Sequence, residues 1–194
     1  MTNKEPVRCF GDTGDTLMVR YHDEEWGVPL HDDRGLFEFM VLDSFQAGLS
    51  WRTVLHKRQA FRRAFDNFDA TRIARYADAD VRRLLEDSGI IRNRQKIAST
   101  ITNAQRFLEV QREFGSFDKY IWQFTGHKTL RNPEGVTMAT MPASTKESDA
   151  MAKDLKGRGF RFVGTTICYA FMQAAGMVND HINDCFRARD LGGS

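Results

Sequence analysis

The sequence predicts an all-α fold, and three observations carry that expectation. Apolar residues recur at i, i+3 and i+4 through most of the chain. No stretch alternates apolar and polar as a half-buried strand would. Most periodic segments are bounded by a helix-starting Ser, Thr or Asp and a helix-stopping Gly.

The elements follow in order. Asp32 and Asp33 are N-caps for a helix carrying Leu36, Phe37, Met40, Val41 and Phe45, which Gly48 interrupts. Ser50 caps a second helix with Trp51, Val54, Leu55, Phe61 and Phe65 on one side and Arg52, Lys57, Arg58, Arg62 and Arg63 on a basic, solvated side. Asp69 opens a helix with Ile73 and Tyr76, and Asp78 or Asp80 opens another with Val81, Leu84 and Leu85. From about Arg94, Ile97, Ile101, Ala104 and Leu108 line one face as far as Gly115. A short helix carries Phe117, Ile121 and Phe124 and stops at Gly126. Residues 127–143, polar and with two prolines, read as a loop. Ser144 and Glu147 form a capping box for a helix through Met151 and Leu155, broken at Gly157 and Gly159. Thr165 or Thr166 begins the last helix, to Ala175, with Gly176 as its C-cap.

A chain of 194 residues fits one domain, 1–194, with a core large enough to need no disulfides. Apolar residues at 41% and charged residues at 28% exclude disordered and fibrous classes. No apolar run approaches a membrane span, and the polar N-terminus has no signal-peptide stretch. Three cysteines without framework spacing point to the cytoplasm. The net charge of +2 argues against a strongly basic nucleic-acid binder, but it is a residual. Residues 10–50 sum to −7 and residues 51–131 to +8, and such opposed regions need a reason.

Two segments carry more than packing. Leu84 to Arg94 reads as a helix, a tight turn around Gly89 and Ile90, then a helix opening beside Arg92, Arg94 and Lys96. Free N–H groups and a positive dipole end suit a phosphate there, in a helix-hairpin-helix spanning about 80–105. An ordinary αα-hairpin with a glycine cap fits the segment equally. The second segment pairs Cys9 and His22 with His181 and Cys185. The H-x-x-x-C spacing places the last two on one face of a helix, and two sulfurs with two imidazoles suit tetrahedral Zn²⁺. Spacing alone leaves open two unrelated Cys/His pairs. Cys168 reads as a buried small apolar residue.

From Cys9 to Cys185 the chain resembles the DNA-3-methyladenine glycosylase I family of the helix-hairpin-helix superfamily. The strings that carry the resemblance are Y-H-D-E-E-W-G-V-P at 21–29, Q-A-G-L-S-W at 46–51, G-I-I-R-N-R at 89–94, R-G-F-R-F-V-G-T-T-I-C-Y at 158–169 and G-M-V-N-D-H at 176–181. The resemblance implies an all-α fold with one structural zinc joining the termini through Cys9, His22, His181 and Cys185. It also implies hydrolysis of the N-glycosidic bond of 3-methyladenine in DNA by an enzyme without lyase activity; the expected partner is double-stranded DNA containing alkylated bases, and the expected state a monomer. Tyr21 and Trp51 match the family's pocket aromatics, while Trp26 reads as core. The chain departs from the pattern at three places. Asp43 stands where the family has its base-reading glutamate. Phe10-Gly11 replaces a tryptophan two residues after the first zinc cysteine, and Met18 replaces a further aromatic. Glu38, five residues from Asp43, is badly spaced to substitute. These departures leave two alternatives, a glycosylase for another base lesion and a non-catalytic zinc-stabilised DNA-binding module.

Overall fold

The computed structural model describes residues 6–10 and 14–191. Among them the regular structure is helical, and the β-type pairing is an isolated bridge between Leu130 and Val178. The helices are α1 (Thr16–Glu24), α2 (Asp33–Gln46), α3 (Trp51–Ala64), α4 (Ala70–Ile73), α5 (Asp78–Glu86), α6 (Arg94–Phe114), α7 (Phe117–Trp122), α8 (Lys146–Gly157), α9 (Thr165–Ala174) and α10 (Phe186–Asp190).

Side-chain caps set the helix starts. Asp32 accepts from Gly35 N at α2, Ser50 from Thr53 N at α3 and Asn93 from Lys96 N at α6. The start of α8 corrects the expected box. Thr145 is the cap and pairs reciprocally with Ser148, so Ser144 lies one residue outside. The helix after Asp69 is also shorter than expected. It ends at Ile73, and the Tyr76 hydroxyl turns back to donate to Asp66 at 2.7 Å. Helices α1 and α10 were not expected from periodicity, being short and only weakly apolar on one side.

Helix α2 is the axis of the molecule. Ten consecutive residues, Leu36 to Phe45, are buried, and α3, α6, α7 and α9 pack around it. A helix enclosed on all sides must also bury its polar residues, here Glu38, Asp43 and Ser44. Charges at 38 and 43 are therefore costly unless each has a partner or a purpose. Glu38 has partners, Arg58 and Arg62 of α3. This corrects the reading of Arg58 as part of a solvated face. It is 8% exposed, lies between Glu38 and Glu25, and covers the Phe39 ring.

Candidate functional site

The four Cys and His residues paired by spacing come together. Cys9, His22, His181 and Cys185 are all buried, with their ligand atoms within 4.8 Å of one another. His181 and Cys185 do not share a helix face as expected. They lie in the turn that leads into α10, where Cys185 is the N-cap. The Cys9 Sγ to His181 Nδ1 distance is 3.3 Å, Cys185 Sγ to His22 Nε2 is 3.4 Å and Cys185 Sγ to His181 Nδ1 is 3.5 Å. An S–M–N angle near tetrahedral with ordinary zinc bond lengths gives an S···N edge of about 3.5 Å.

The ring nitrogens turned away from the cluster are occupied as metal ligands require. His22 Nδ1 donates to Asp23, itself held by Arg8, and His181 Nε2 donates to the Trp26 carbonyl at 3.0 Å. Ile182 N–H donates to Cys9 Sγ at 3.4 Å. Burial pushes His181 down to about 4 and so holds it neutral, while burial pushes the Cys9 thiol up to about 12. The thiol thus ionises only against a cation, and the donor set fits a metal ion. Cys168 lies apart, donating to the Val163 carbonyl in the core.

Beside this cluster is a cavity of about 230 Å³ lined by aromatic and thioether groups from distant parts of the chain. Tyr21 comes from α1, Trp51 from the first turn of α3, and their ring centroids lie 5.1 Å apart. Phe10 stands at the rim with its ring against Trp26. Trp26 is buried, as expected, and also lines the cavity. Asp43 reaches the cavity from α2, 2% exposed, and its Oδ2 has no hydrogen-bond partner. Burial pushes this carboxyl well above the usual range, opposed only by the charge of Arg58. The Trp51 Nε1–H likewise has no partner. Two residues that line one aromatic cavity thus carry an unpaired acceptor and an unpaired donor, a pairing that a planar polar ligand would satisfy.

Sequence reasoning missed Gln46, Met141, Ala170 and Gln173, which complete the lining. Gln46 has a local signal, one helical turn beyond Asp43. Met141 lies in the 127–143 loop, and nothing in its neighbours marks it. Glu38 is committed to Arg58 and Arg62, so it does not replace Asp43. Met18 lines the cavity, whereas Gly11 lies outside the described residues.

The segment between α5 and α6 is a tight turn anchored by Leu84, Ile90 and Ile97, all buried. Gly89 is required there. A Cβ would meet Ala60 Cβ of α3 at 3.0 Å and Asp87 Oδ1 at 2.9 Å. Lys57 of α3 donates from Nζ to the carbonyls of Ser88 and Gly89, at 3.2 and 3.1 Å, and so clasps the turn. Arg92 and Arg94 are exposed. Lys96 corrects an expectation. It is 6% exposed and its ammonium caps the carbonyls of Phe45 and Ala47 at the end of α2, at 2.9 and 2.6 Å, so it is not a surface charge. Lys96→Met is expected to destabilise the fold by about 2 kcal/mol, since it strands two carbonyls. Thermal melting at equal ionic strength checks this, and an unchanged midpoint would refute the capping role.

A small all-α enzyme with a deep aromatic cavity and one unpaired acid is the class that this fold and site define. The chain belongs to the methyladenine glycosylase family, whose model matches residues 11–188. It is 47% identical to DNA-3-methyladenine glycosylase 1 of Escherichia coli (strain K12) over 178 residues, 92% of this chain and 95% of that one. A solved 3-methyladenine DNA glycosylase I superposes with TM-score 0.89 at 49% identity, over 93% of this chain and 98% of that chain. A substituted 3-methyladenine DNA glycosylase I solved in complex with 3-methyladenine superposes with TM-score 0.87 at 32% identity, over 92% and 95% of the two chains. The protein is therefore a DNA glycosylase, and among its described residues no helix is long and apolar enough to cross a membrane.

Proposed function

We propose that the enzyme removes alkylated purines, chiefly 3-methyladenine, from duplex DNA by flipping the base into the Tyr21–Trp51 cavity and hydrolysing its N-glycosidic bond. The observation that carries this reading is the unpaired Asp43 carboxyl in an aromatic cavity. Methylation at N3 makes the purine cationic and its bond weak, so the site needs little acid catalysis. It must instead recognise a cation, and electron-rich rings with a buried carboxylate do so. Burial disfavours a charged Asp43, and a cationic base supplies a counter-charge beyond that of Arg58. Extrusion costs least for a damaged base. No lysine is assigned a covalent role, and cleavage of the strand is not expected. Incubation with methylated duplex DNA and identification of the released bases tests the proposal. Absence of released purine would overturn it.

In the same reading, Cys9, His22, His181 and Cys185 hold one structural Zn²⁺ that ties the first residues to the last helix. The α5–α6 turn acts as a helix-hairpin-helix. Its N–H groups and the exposed Arg92 and Arg94 hold a phosphate, with Lys57 fixing the turn. We expect a single domain acting as a monomer. Arg92→Ala combined with Arg94→Ala is expected to weaken undamaged-duplex binding and to lower its salt slope by about 1 per lost phosphate contact. An unchanged slope in a binding titration would remove the hairpin from the interface.

The shorter acid and the two thioethers at Met18 and Met141 favour, as a second reading, a different alkylated base. A panel of damaged duplexes separates the two readings.

A further inference from the structure

Gln173 has a feature that the proposed reaction does not yet use. It sits in the last turn of α9, which packs against α2, and it lines the cavity that Asp43 enters from the α2 side. Its Nε2 donates to Asp180 Oδ2 at 2.8 Å, and the Tyr169 hydroxyl donates to the same oxygen at 2.6 Å. Asp180 is 5% exposed. A carboxylate only accepts hydrogen bonds, so it fixes which way the carboxamide turns. The nitrogen must face Asp180, which leaves Oε1 as the uncommitted acceptor of a residue that lines the cavity. Two lining residues from two different helices thus each carry an uncommitted acceptor.

We propose that Gln173 is a specificity-determining residue, its Oε1 acting with Asp43 as a second acceptor that selects purines bearing an amine at position 6 over those bearing an oxo group there. This rests on the glycosylase reading above. Adenine carries an N6 amine with two hydrogens in its plane, whereas guanine carries the O6 acceptor at the same edge. An alkylated adenine satisfies both acceptors. An alkylated guanine turns an oxygen toward them and leaves buried acceptors unpaired, which a site built for hydrogen bonds rejects strongly. Asp180 and Tyr169 are positioning residues here, because they hold the carboxamide in the one orientation that discriminates.

The test is the ratio of 3-methyladenine to 3-methylguanine released from methylated duplex DNA by the wild-type enzyme and by Gln173→Met, which keeps length and loses the acceptor. The ratio is expected to fall about tenfold or more, the effect of one hydrogen bond to a charged partner. An unchanged ratio, or an equal fall for both bases, would overturn the role of Gln173 and leave the glycosylase reading standing. Release of neither base by the wild type would overturn that reading and this inference with it. A second measurement needs no substitution. With glutamine side chains labelled with ¹⁵N, free 3-methyladenine is expected to shift the Gln173 amide resonance and free 3-methylguanine to leave it in place. No shift with 3-methyladenine, or the same shift with both bases, would refute the proposal.

Discussion

Asp43→Asn is expected to reduce release of methylated purine about 100-fold or more while making the protein more stable at neutral pH. The first effect follows from removing the only carboxylate among the described residues lining the aromatic cavity, where a charge in a water-poor site acts on a cationic base. The second follows from linkage. The folded state raises the pKa of Asp43 above its unfolded value, chiefly by burial. The folded state therefore holds this proton more tightly than the unfolded chain does. The contribution of Asp43 to stability falls as pH rises from the ordinary carboxylate range through the raised value. The advantage of Asp43→Asn in melting temperature is then largest at neutral to alkaline pH and shrinks on acidification. Affinity of the wild type for a cationic base should rise with pH over the same window, because the cation selects the carboxylate. A variant that keeps full base release, or that melts below the wild type at neutral pH, would contradict this account.

The second large effect concerns the Cys/His cluster. Wild-type protein is expected to retain about one equivalent of zinc through purification, and Cys185→Ala to lose both the metal and several kcal/mol of stability. The cluster joins residue 9, the end of α1 and the entry to α10, so losing it releases both ends of the chain at once. Cys168→Ala is the matched control. Its thiol is equally buried but packs in the apolar core and hydrogen-bonds to a backbone carbonyl, so the cost should be about 1–2 kcal/mol with metal content unchanged. Metal content well below one equivalent, or equal melting of the two variants, would remove zinc from the design of the fold.

The opposed charges in the sequence acquire a physical meaning, though not the one that counting suggests. The acidic stretch does contain Asp43 and His22. The basic stretch supplies fewer free charges than its sum of +8 implies. Arg58 and Arg62 neutralise Glu38, Arg52 faces Asp15 at 3.1 Å, Lys96 caps α2 and Lys57 clasps the α5–α6 turn. Arg92 and Arg94 remain on the surface, as do Arg63, Arg75, Arg82, Arg112 and Lys128. Modest binding to undamaged DNA is the expected result.

Elements whose causes are local are legible in the sequence. Helices α2, α3, α5 and α6 follow from apolar spacing, and the caps Asp32 and Ser50 lie where expected because a cap bonds within its own first turn. The Gly89 turn and its apolar anchors were likewise legible. The cluster of Cys9, His22, His181 and Cys185 was named correctly but on a wrong local geometry, since the H-x-x-x-C spacing closes through a turn rather than along a helix. Which polar side chains leave water depends on how distant elements pack. Nothing near Lys96 distinguishes it from Arg92 and Arg94, yet its position places its ammonium against the open end of α2, about 50 residues earlier. Nothing near Gln173 or Met141 announces a cavity, because the other walls come from α1, α2 and α3. Periodicity reports the environment within one or two turns of a helix. The partner of a buried charge and the walls of a cavity are set by packing between elements far apart in the chain, and that information is not written at any one position.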